Sequence, residues 1–362
     1  MHSLAIEALS LRAFRNIDAV DLTPGARFNV ISGDNGQGKT NLLEAIYVVS
    51  TSRSFRASKP GDVVMHGSEV ASVRARVRED GEAREQSMGL KVGARAARID
   101  GKRPASLAAY AVRTPVVVFH PGEVALSMGS GGERRRLLDR IALFVRASSM
   151  DDLDRYARAM RERQRALETR GVGAADVVHW EELMVRHGVA VMDVRAEAAS
   201  HLAAAAVPAF ERIATPGLAF AVGYTPGAPR DADQYRASLA SSRAVDLRRG
   251  GARVGPHRDD LALLIDGRPV RGVASQGQHR ATVLALKSAE LHVVGTARGA
   301  RPILLLDDVS SELDRARTAA LFVFLREQRG QVFLTTTRPE LIELEGAERT
   351  DFRVQSGRIS GV

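Results

Sequence analysis

Residues 33 to 40 read Gly33-Asp34-Asn35-Gly36-Gln37-Gly38-Lys39-Thr40, the full G-x-x-x-x-G-K-T spacing of a phosphate-binding loop. The apolar run Phe28-Asn29-Val30-Ile31 leads in as a short strand, and Asn41 to Tyr47 follows as a helix. That context gives each residue type a task. Glycines let the backbone curl until successive N–H groups point at a polyphosphate, and the positive end of the helix adds to the attraction. Lys39 is placed to reach β- and γ-phosphates, and the Thr40 hydroxyl to bind Mg²⁺. The expected cofactors are therefore ATP and Mg²⁺.

Such a loop needs an acidic partner at the end of a buried strand. Arg301-Pro302-Ile303-Leu304-Leu305-Leu306-Asp307-Asp308 supplies an apolar run of strand length ending in two carboxylates. Asp307 is expected to hold Mg²⁺ through its water shell, and Asp308 to polarise the attacking water. Lys39 and Asp307 are 268 residues apart, so the nucleotide-binding core is split around a large insertion. The earlier apolar run Pro115 to His120 ends in histidine and cannot serve.

Two polar turns flank the acid strand in sequence. Ser275-Gln276-Gly277-Gln278 opens a helical stretch to Val294, a second anion site at a helix N-terminus. Ser310-Ser311-Glu312-Leu313-Asp314 leads from the acid strand into the next helix. Each alone reads better as a simple helix cap; their order, after the insertion and around the acid strand, argues for a joint role.

The surrounding elements follow from periodicity. The segment to about Asn29 reads as strands with a Pro-Gly turn at 24–25, and Val70 to Asp100 alternates polar and apolar residues, with hairpin signals at Asp80-Gly81 and Asp100-Gly101. From Glu133 the period becomes helical. One stripe runs through Leu153, Tyr156, Met160 and Leu167, is broken at Gly171 and Gly173, and is followed by a second through Trp180, Met184, His187, Val191, Val194, Ala198 and Leu202. The two helices should pack antiparallel as a short arm, the second about 36 residues and ~54 Å long. His187 and Trp180 read as packing residues. Thr225 to Arg253, rich in Gly, Arg, Ser and Asp, reads as a mobile connection back to the core. The expected fold class is α/β: residues 1–118 and 250–362 form a discontinuous ATPase domain with a flanking antiparallel sheet, and 119–249 an inserted, mainly helical lobe.

Composition narrows the function. The chain has 362 residues and 44% hydrophobic residues, enough for two lobes of an ordinary globular protein. It has no cysteine, which excludes disulfides, cysteine zinc sites and thiol nucleophiles. Neither a membrane-length apolar stretch nor a signal peptide is evident, so a cytoplasmic protein is expected. The net charge is +9, almost all of it arginine, since lysine stands only at 39, 59, 91, 102 and 287. Such an excess suits a polyanion, whose phosphates arginine binds bidentately, or it is simply solvated surface charge.

The order phosphate loop, insertion, SQGQ, LLLDD, SSELD resembles the ATP-binding-cassette superfamily, and within it the SMC-like DNA-repair ATPases. Leu11-Arg12-Ala13-Phe14-Arg15-Asn16, Arg53-Ser54-Phe55-Arg56 and Gly255-Pro256-His257-Arg258-Asp259-Asp260-Leu261 add to the likeness. The resemblance implies a head-to-tail homodimer that sandwiches ATP, with Ser275, Gly277 and Gln278 of one protomer completing the phosphate loop of the other. It implies that Ser311 and Asp314 line the dimer contact, and that Arg12, Arg15 and Asn16 lie near the nucleotide. Arg53 and Arg56 could touch DNA or nucleotide, or belong to surface and core. DNA contacts should be to phosphates, sequence-neutral and salt-sensitive, and directed to duplex rather than single strand because aromatics are few. For the recombination-mediator branch, the resemblance further implies binding at gaps or junctions, with RecO and RecR as partners. RecA would then be loaded onto single strands coated by single-strand-binding protein.

The chain departs from transporter-like cassettes. No switch histidine follows the strand Gln331 to Thr335, where Thr336-Thr337-Arg338 stands instead, and the acid pair is Asp-Asp rather than Asp-Glu. No glutamine marks the loop joining the lobes; His120 or Glu123 stands near that place. Slow, DNA-stimulated hydrolysis, as in a timer, is the expectation. The alternatives are the ATPase subunit of a membrane transporter, disfavoured by the insertion and the arginine excess, and a non-hydrolysing SMC-like clamp, disfavoured by the intact Lys39, Thr40, Asp307 and Asp308.

Overall fold

The computed structural model describes residues 1–308, 330–342, 344 and 348–362. In chain order its first elements are strands β1 (Leu4–Phe14), β2 (Ile17–Leu22) and β3 (Phe28–Ser32), helix α1 (Lys39–Thr51), strands β4 (Ala71–Glu79), β5 (Glu82–Lys91) and β6 (Ala94–Ile99), helix α2 (Leu107–Ala111) and strand β7 (Val116–Phe119). Helices α3 (Ala125–Met128), α4 (Gly131–Val145), α5 (Ser149–Arg170) and α6 (Ala175–Ile213) follow, then strand β8 (Phe220–Thr225), helix α7 (Ala232–Arg249), strands β9 (Asp260–Ile265) and β10 (Arg268–Pro269) and helix α8 (Gln276–Arg298). Strands β11 (Ile303–Leu306), β12 (Val332–Thr336), β13 (Arg349–Gln355) and β14 (Arg358–Gly361) complete the described elements. The chain divides into two compact units, 1–123 with 294–362, and 124–293.

The first unit carries two sheets. One is antiparallel, in the order β2-β1-β4-β5-β6. Its strands alternate as the sequence suggests: Ala71, Val73, Ala75 and Val77 are buried while Ser72, Arg74, Arg76 and Arg78 are exposed. Asp80 and Gly81 both take positive φ, 47° and 87°, the conformation of a tight hairpin turn. The other sheet runs β14-β13-β3-β12-β11-β7, with β13, β3, β12, β11 and β7 parallel and β14 antiparallel to β13. Ile303 to Leu306 and Val332 to Thr336 are buried throughout, as strands covered on both faces must be. One core unites α1 with both sheets through Leu42, Leu43, Ile46, Ile31, Leu305, Phe333, Val73 and Met88.

The second unit is built on α5 and α6. The second of these has 39 residues, a rod of ~58 Å, close to the length read from its apolar stripe. Gly171 ends α5 with φ +85°. Buried charge locks the helices: Arg163, 1% exposed, donates to Glu181 (3.0 Å), to Asp246 (2.8 Å) and to the Leu239 carbonyl (2.9 Å), joining α5, α6 and α7. His187 is a packed residue bonded through Nδ1 to Asp152 at 2.9 Å, and Trp180 packs against the same core.

Two findings change the reading of this region. Thr225 to Arg253 is not a loose connection: its centre is α7, capped by the Asp231 carboxylate accepting from Gln234 N–H and ended by Gly250 in the left-handed region. No apolar stripe stands out along α7 because the helix buries only Tyr235, Leu239 and Asp246. Residues 250–293, grouped with the ATPase halves in the sequence reading, belong to the second unit. The reason is packing: Leu261, Leu263 and Ile265 of β9 and Ala281, Ala285 and Leu286 of α8 share a core with Leu138, Ile141, Ala198 and Leu202. This unit therefore also holds a three-stranded antiparallel sheet, β10-β9-β8.

Candidate functional site

Parallel strands bring their carboxyl ends to one edge, where α/β folds bind ligands. Here β12 lies between β3, which enters the phosphate loop, and β11, which ends at Asp307. This arrangement closes the 268-residue gap. The Thr40 hydroxyl donates to Asp307 Oδ1 at 2.8 Å, with Oδ2 at 3.1 Å. Gly33, Gly36 and Gly38 take φ of 150°, 79° and 118°, which only glycine adopts readily. The loop's exposed stretch is Asp34, Asn35 and Gly36.

Lys39 is buried, and its ammonium donates to the carbonyls of Gly33 (2.7 Å) and Asp34 (2.8 Å). Burial lowers its pKa, against the pull of Asp308, Asp307 and Asp34. A polyphosphate would stabilise the same charge. The donor set also fits Mg²⁺: a hydroxyl and one carboxylate adjoin the loop, and no cage of three or more His, Asp or Glu exists among the described residues. Mg²⁺ prefers one or two protein ligands completed by phosphates and water.

Thr335 carries no local signal in the sequence, where it is one residue of the apolar strand β12. Its buried hydroxyl donates to Asp307 Oδ1 at 2.9 Å and accepts from Asp308 N–H at 2.8 Å. It therefore holds the Asp307 carboxylate and the main chain of Asp308. Asp308 itself has φ +50°, an uncommon conformation held by that bond. Thr335→Val should lower stability by about 1–3 kcal/mol, because two buried polar groups each lose a partner, whereas Thr335→Ser should stay near wild type. Thermal unfolding of the three proteins checks this; equal melting of the Val and Ser variants would refute it.

The opening motif and the R-S-F-R motif converge on one buried acid, Glu44, a turn beyond Thr40 on α1. Arg15 donates to it twice (3.0 and 2.8 Å), Ser54 once (2.5 Å), and Arg56 stands at 3.7 Å. Arg56 also donates to Asn41 Oδ1 at 3.0 Å, while Arg53 is exposed. Phe55 lies edge-on to Tyr47 and stacks on His120. Asn16 donates to the Gln37 carbonyl at 3.0 Å, and so touches the loop directly. Arg12 instead pairs with Asp21 at 2.7 Å. His120 and Glu123 follow β7, 3.4 Å apart.

In the second unit Ser275 and Gln278 form a reciprocal cap on α8. Gln278 N–H donates to Ser275 Oγ (3.2 Å), and Ser275 N–H to Gln278 Oε1 (2.8 Å). Ser275 and Gln276 are exposed, and Gly277 and Gln278 half-buried. The Gly255–Leu261 motif is a buried polar hub: Asp259 accepts from Arg195 (2.8 Å), Tyr224 (2.6 Å) and Gly227 N–H (2.7 Å), and Asp260 pairs with Arg134 at 2.6 Å. Burial lowers the His257 pKa, and its Nδ1 lies 2.6 Å from Tyr156 Oη. Ser310, Ser311 and Asp314 lie outside the described residues.

Residues 5–358 match the model of the RecF/RecN/SMC N-terminal domain family. A DNA replication and repair protein RecF from Geobacter sulfurreducens is 37% identical over 365 residues, covering 99% of this chain and 100% of that protein. Its counterpart from Anaeromyxobacter sp. strain Fw109-5 is 38% identical, covering 98% of each. Among solved structures, the recombination mediator protein RecF-ATPrS in the RecFOR pathway has a TM-score of 0.90 at 28% identity, covering 99% of this chain and 98% of that one. The Smc head domain from Pyrococcus furiosus, at 16% identity and a TM-score of 0.55, shares the fold.

Proposed function

The chain belongs to the RecF family of SMC-like, ATP-binding-cassette ATPases, and from that premise we propose that it is an ATP-switched DNA clamp of recombinational repair. The observation that carries this reading is the 2.8 Å bond between Thr40 and Asp307, which brings the phosphate loop and the acid strand to one point beside Lys39. Lys39 binds the terminal phosphates, Thr40 and Asp307 hold Mg²⁺, and Asp308 orients the attacking water and takes its proton. Bound Mg²⁺ supplies charge neutralisation of the phosphates.

A single protomer does not complete this site. The exposed Ser275 and Gln276, with Gly277 and Gln278, present a helix N-terminus to the γ-phosphate held by a second copy. ATP then favours the dimer because only the triphosphate engages both chains. Hydrolysis removes that bridge and releases the clamp slowly. The dimer holds duplex DNA at gaps or junctions, through phosphates and irrespective of sequence. With RecO and RecR it promotes RecA loading. Family membership weighs against the transporter reading, and among the described residues no helix is long and apolar enough to cross a membrane.

Sedimentation of the purified chain with no nucleotide, ADP or ATP-Mg²⁺, with and without gapped duplex, tests the proposal. A dimer should form only with ATP and associate with DNA. Lys39→Met should abolish it by losing nucleotide, and Ser275→Arg should abolish it while still binding ATP as a monomer. ATP binding without dimerisation or DNA association in the wild type would overturn the clamp.

A further inference from the structure

The apex of the phosphate loop is tied to the far end of the chain. The turn between β13 and β14 is Ser356-Gly357, and Gly357 N–H donates to the Gln37 carbonyl at 2.9 Å. Ser356 N–H donates to Gln37 Oε1 at 2.5 Å. The Asn16 amide donates to the same Gln37 carbonyl at 3.0 Å, and its Oδ1 accepts from Asn41 at 2.7 Å. Below the turn, β13 pairs with β3, the strand that feeds the loop, with Phe352 opposite Ile31 and Arg353 opposite Ser32.

The fit has little slack. A Cβ on Gly357 (φ +77°) would lie 2.0 Å from the Asn16 carbonyl oxygen. One on Gly38 would lie 2.8 Å from Asn16 Oδ1, and one on Gly33 2.3 Å from the Val354 carbonyl oxygen. Two glycines of the phosphate loop and one of the turn are thus needed for close approach as well as for their φ values.

The direction of the peptide planes gives this contact a function. In a trans peptide the C=O and the following N–H point opposite ways. Two donors on the Gln37 carbonyl fix the Gln37–Gly38 plane, and so aim the Gly38 N–H away from the turn. A phosphate-binding curl depends on such N–H groups holding one direction before the anion arrives. Ordinary sheet packing of β13 on β3 does not require any contact at the loop apex.

We propose that Gly357, Ser356 and Asn16 are positioning residues of the nucleotide site, a clasp through which the last strand pair sets nucleotide affinity. The inference rests on the ATP-site reading above. Its test is titration of a fluorescent ATP analogue, with turnover kinetics, on the full chain and on Gly357→Ala, Asn16→Ala, the double variant, and Gly361→Ala. Gly361, in the same hairpin, has open space for a Cβ and should bind as wild type.

Gly357→Ala should raise the ATP dissociation constant and KM about tenfold and Asn16→Ala about fivefold, with kcat at saturation within about twofold of wild type. The double variant should fall short of the product of the two, since both act on one carbonyl. Should Gly357→Ala fail to fold, Asn16→Ala decides the matter, because it shortens an exposed side chain and leaves the backbone alone. Wild-type affinity in both single variants, or a loss of kcat at unchanged KM, overturns the clasp. Absence of ATP binding in the wild type overturns the ATP site instead.

Discussion

Asp308→Asn should abolish ATP turnover, by about 10²–10⁴-fold, while leaving ATP binding and the ATP-dependent dimer intact. On the mechanism proposed above, the substitution removes the group that takes the water's proton, together with one of the three carboxylates that favour the Lys39 ammonium. Asparagine tolerates the left-handed backbone that Asp308 occupies at φ +50°, and the bond to the Thr335 hydroxyl uses the N–H of residue 308 and not its side chain. Asp307, which shares its contacts with Thr40 and Thr335, is untouched. The dimer of this variant should therefore persist after ATP addition, when the wild-type dimer decays with hydrolysis. Phosphate release and sedimentation over time read both halves of the expectation. Turnover within about tenfold of wild type would move the general base elsewhere; His120 or Glu123, at the end of the neighbouring strand β7, would be next to examine. Asp308→Ala is the weaker experiment, since alanine also strains the φ.

The contrast between Asp308 and Thr335 shows where sequence reading stops. Lys39, Thr40 and Asp307 were legible because each sits in a local pattern: glycines at fixed offsets, or an apolar run ending in acid. The strand β3, helix α1 and the hairpins were legible for the same reason, since period and turn residues are local properties. Thr335 matters because β12 inserts between β3 and β11, and strand order is not written in any one segment. Glu44 looks like an ordinary helix residue until Arg15, Ser54 and Arg56 arrive from two other segments. Helix α7 was missed for a different reason. Asp231 and Gly250 are recognisable caps, but the buried face between them is two apolar residues and a paired aspartate, too little for a period to stand out. The motif Gly255 to Leu261 was visible as a pattern, and only the fold shows that its aspartates anchor Arg195, Tyr224 and Arg134.

A second large effect is expected where α8, the helix opened by Ser275, is fastened to α4. Glu290 on α8 is fully buried; it accepts from Arg140 of α4 at 2.7 Å and from Lys287, itself buried, one turn earlier. Burial alone would raise the carboxyl's pKa, but Arg140 and Lys287 outweigh it and hold the pKa at about 2. The folded value lies below the unfolded one, so the group stabilises the protein above about pH 4.5 and loses that contribution as pH falls toward about 2. The displacement corresponds to about 3 kcal/mol at neutral pH.

Glu290→Ala goes further, because it leaves the Lys287 ammonium in the interior without its acid; a loss of about 3–5 kcal/mol is expected. Glu290→Gln keeps the shape and removes the charge, which makes it the pH probe. Urea unfolding of wild type and Glu290→Gln at pH 7 should show a wide gap in stability that narrows as pH falls from about 4.5 toward 3, because there the Glu290 carboxyl takes up its proton in the unfolded chain while the folded protein still holds it ionised. A gap independent of pH would mean that the ion cluster does not set the stability of this helix pair. The cluster fixes α8, the helix that Ser275 and Gln278 cap, to α4, so the proposed dimer contact supplies a second readout. A weakened Glu290→Gln dimer at neutral pH, with ATP affinity of the monomer unchanged, would place this buried acid among the supports of the dimer contact.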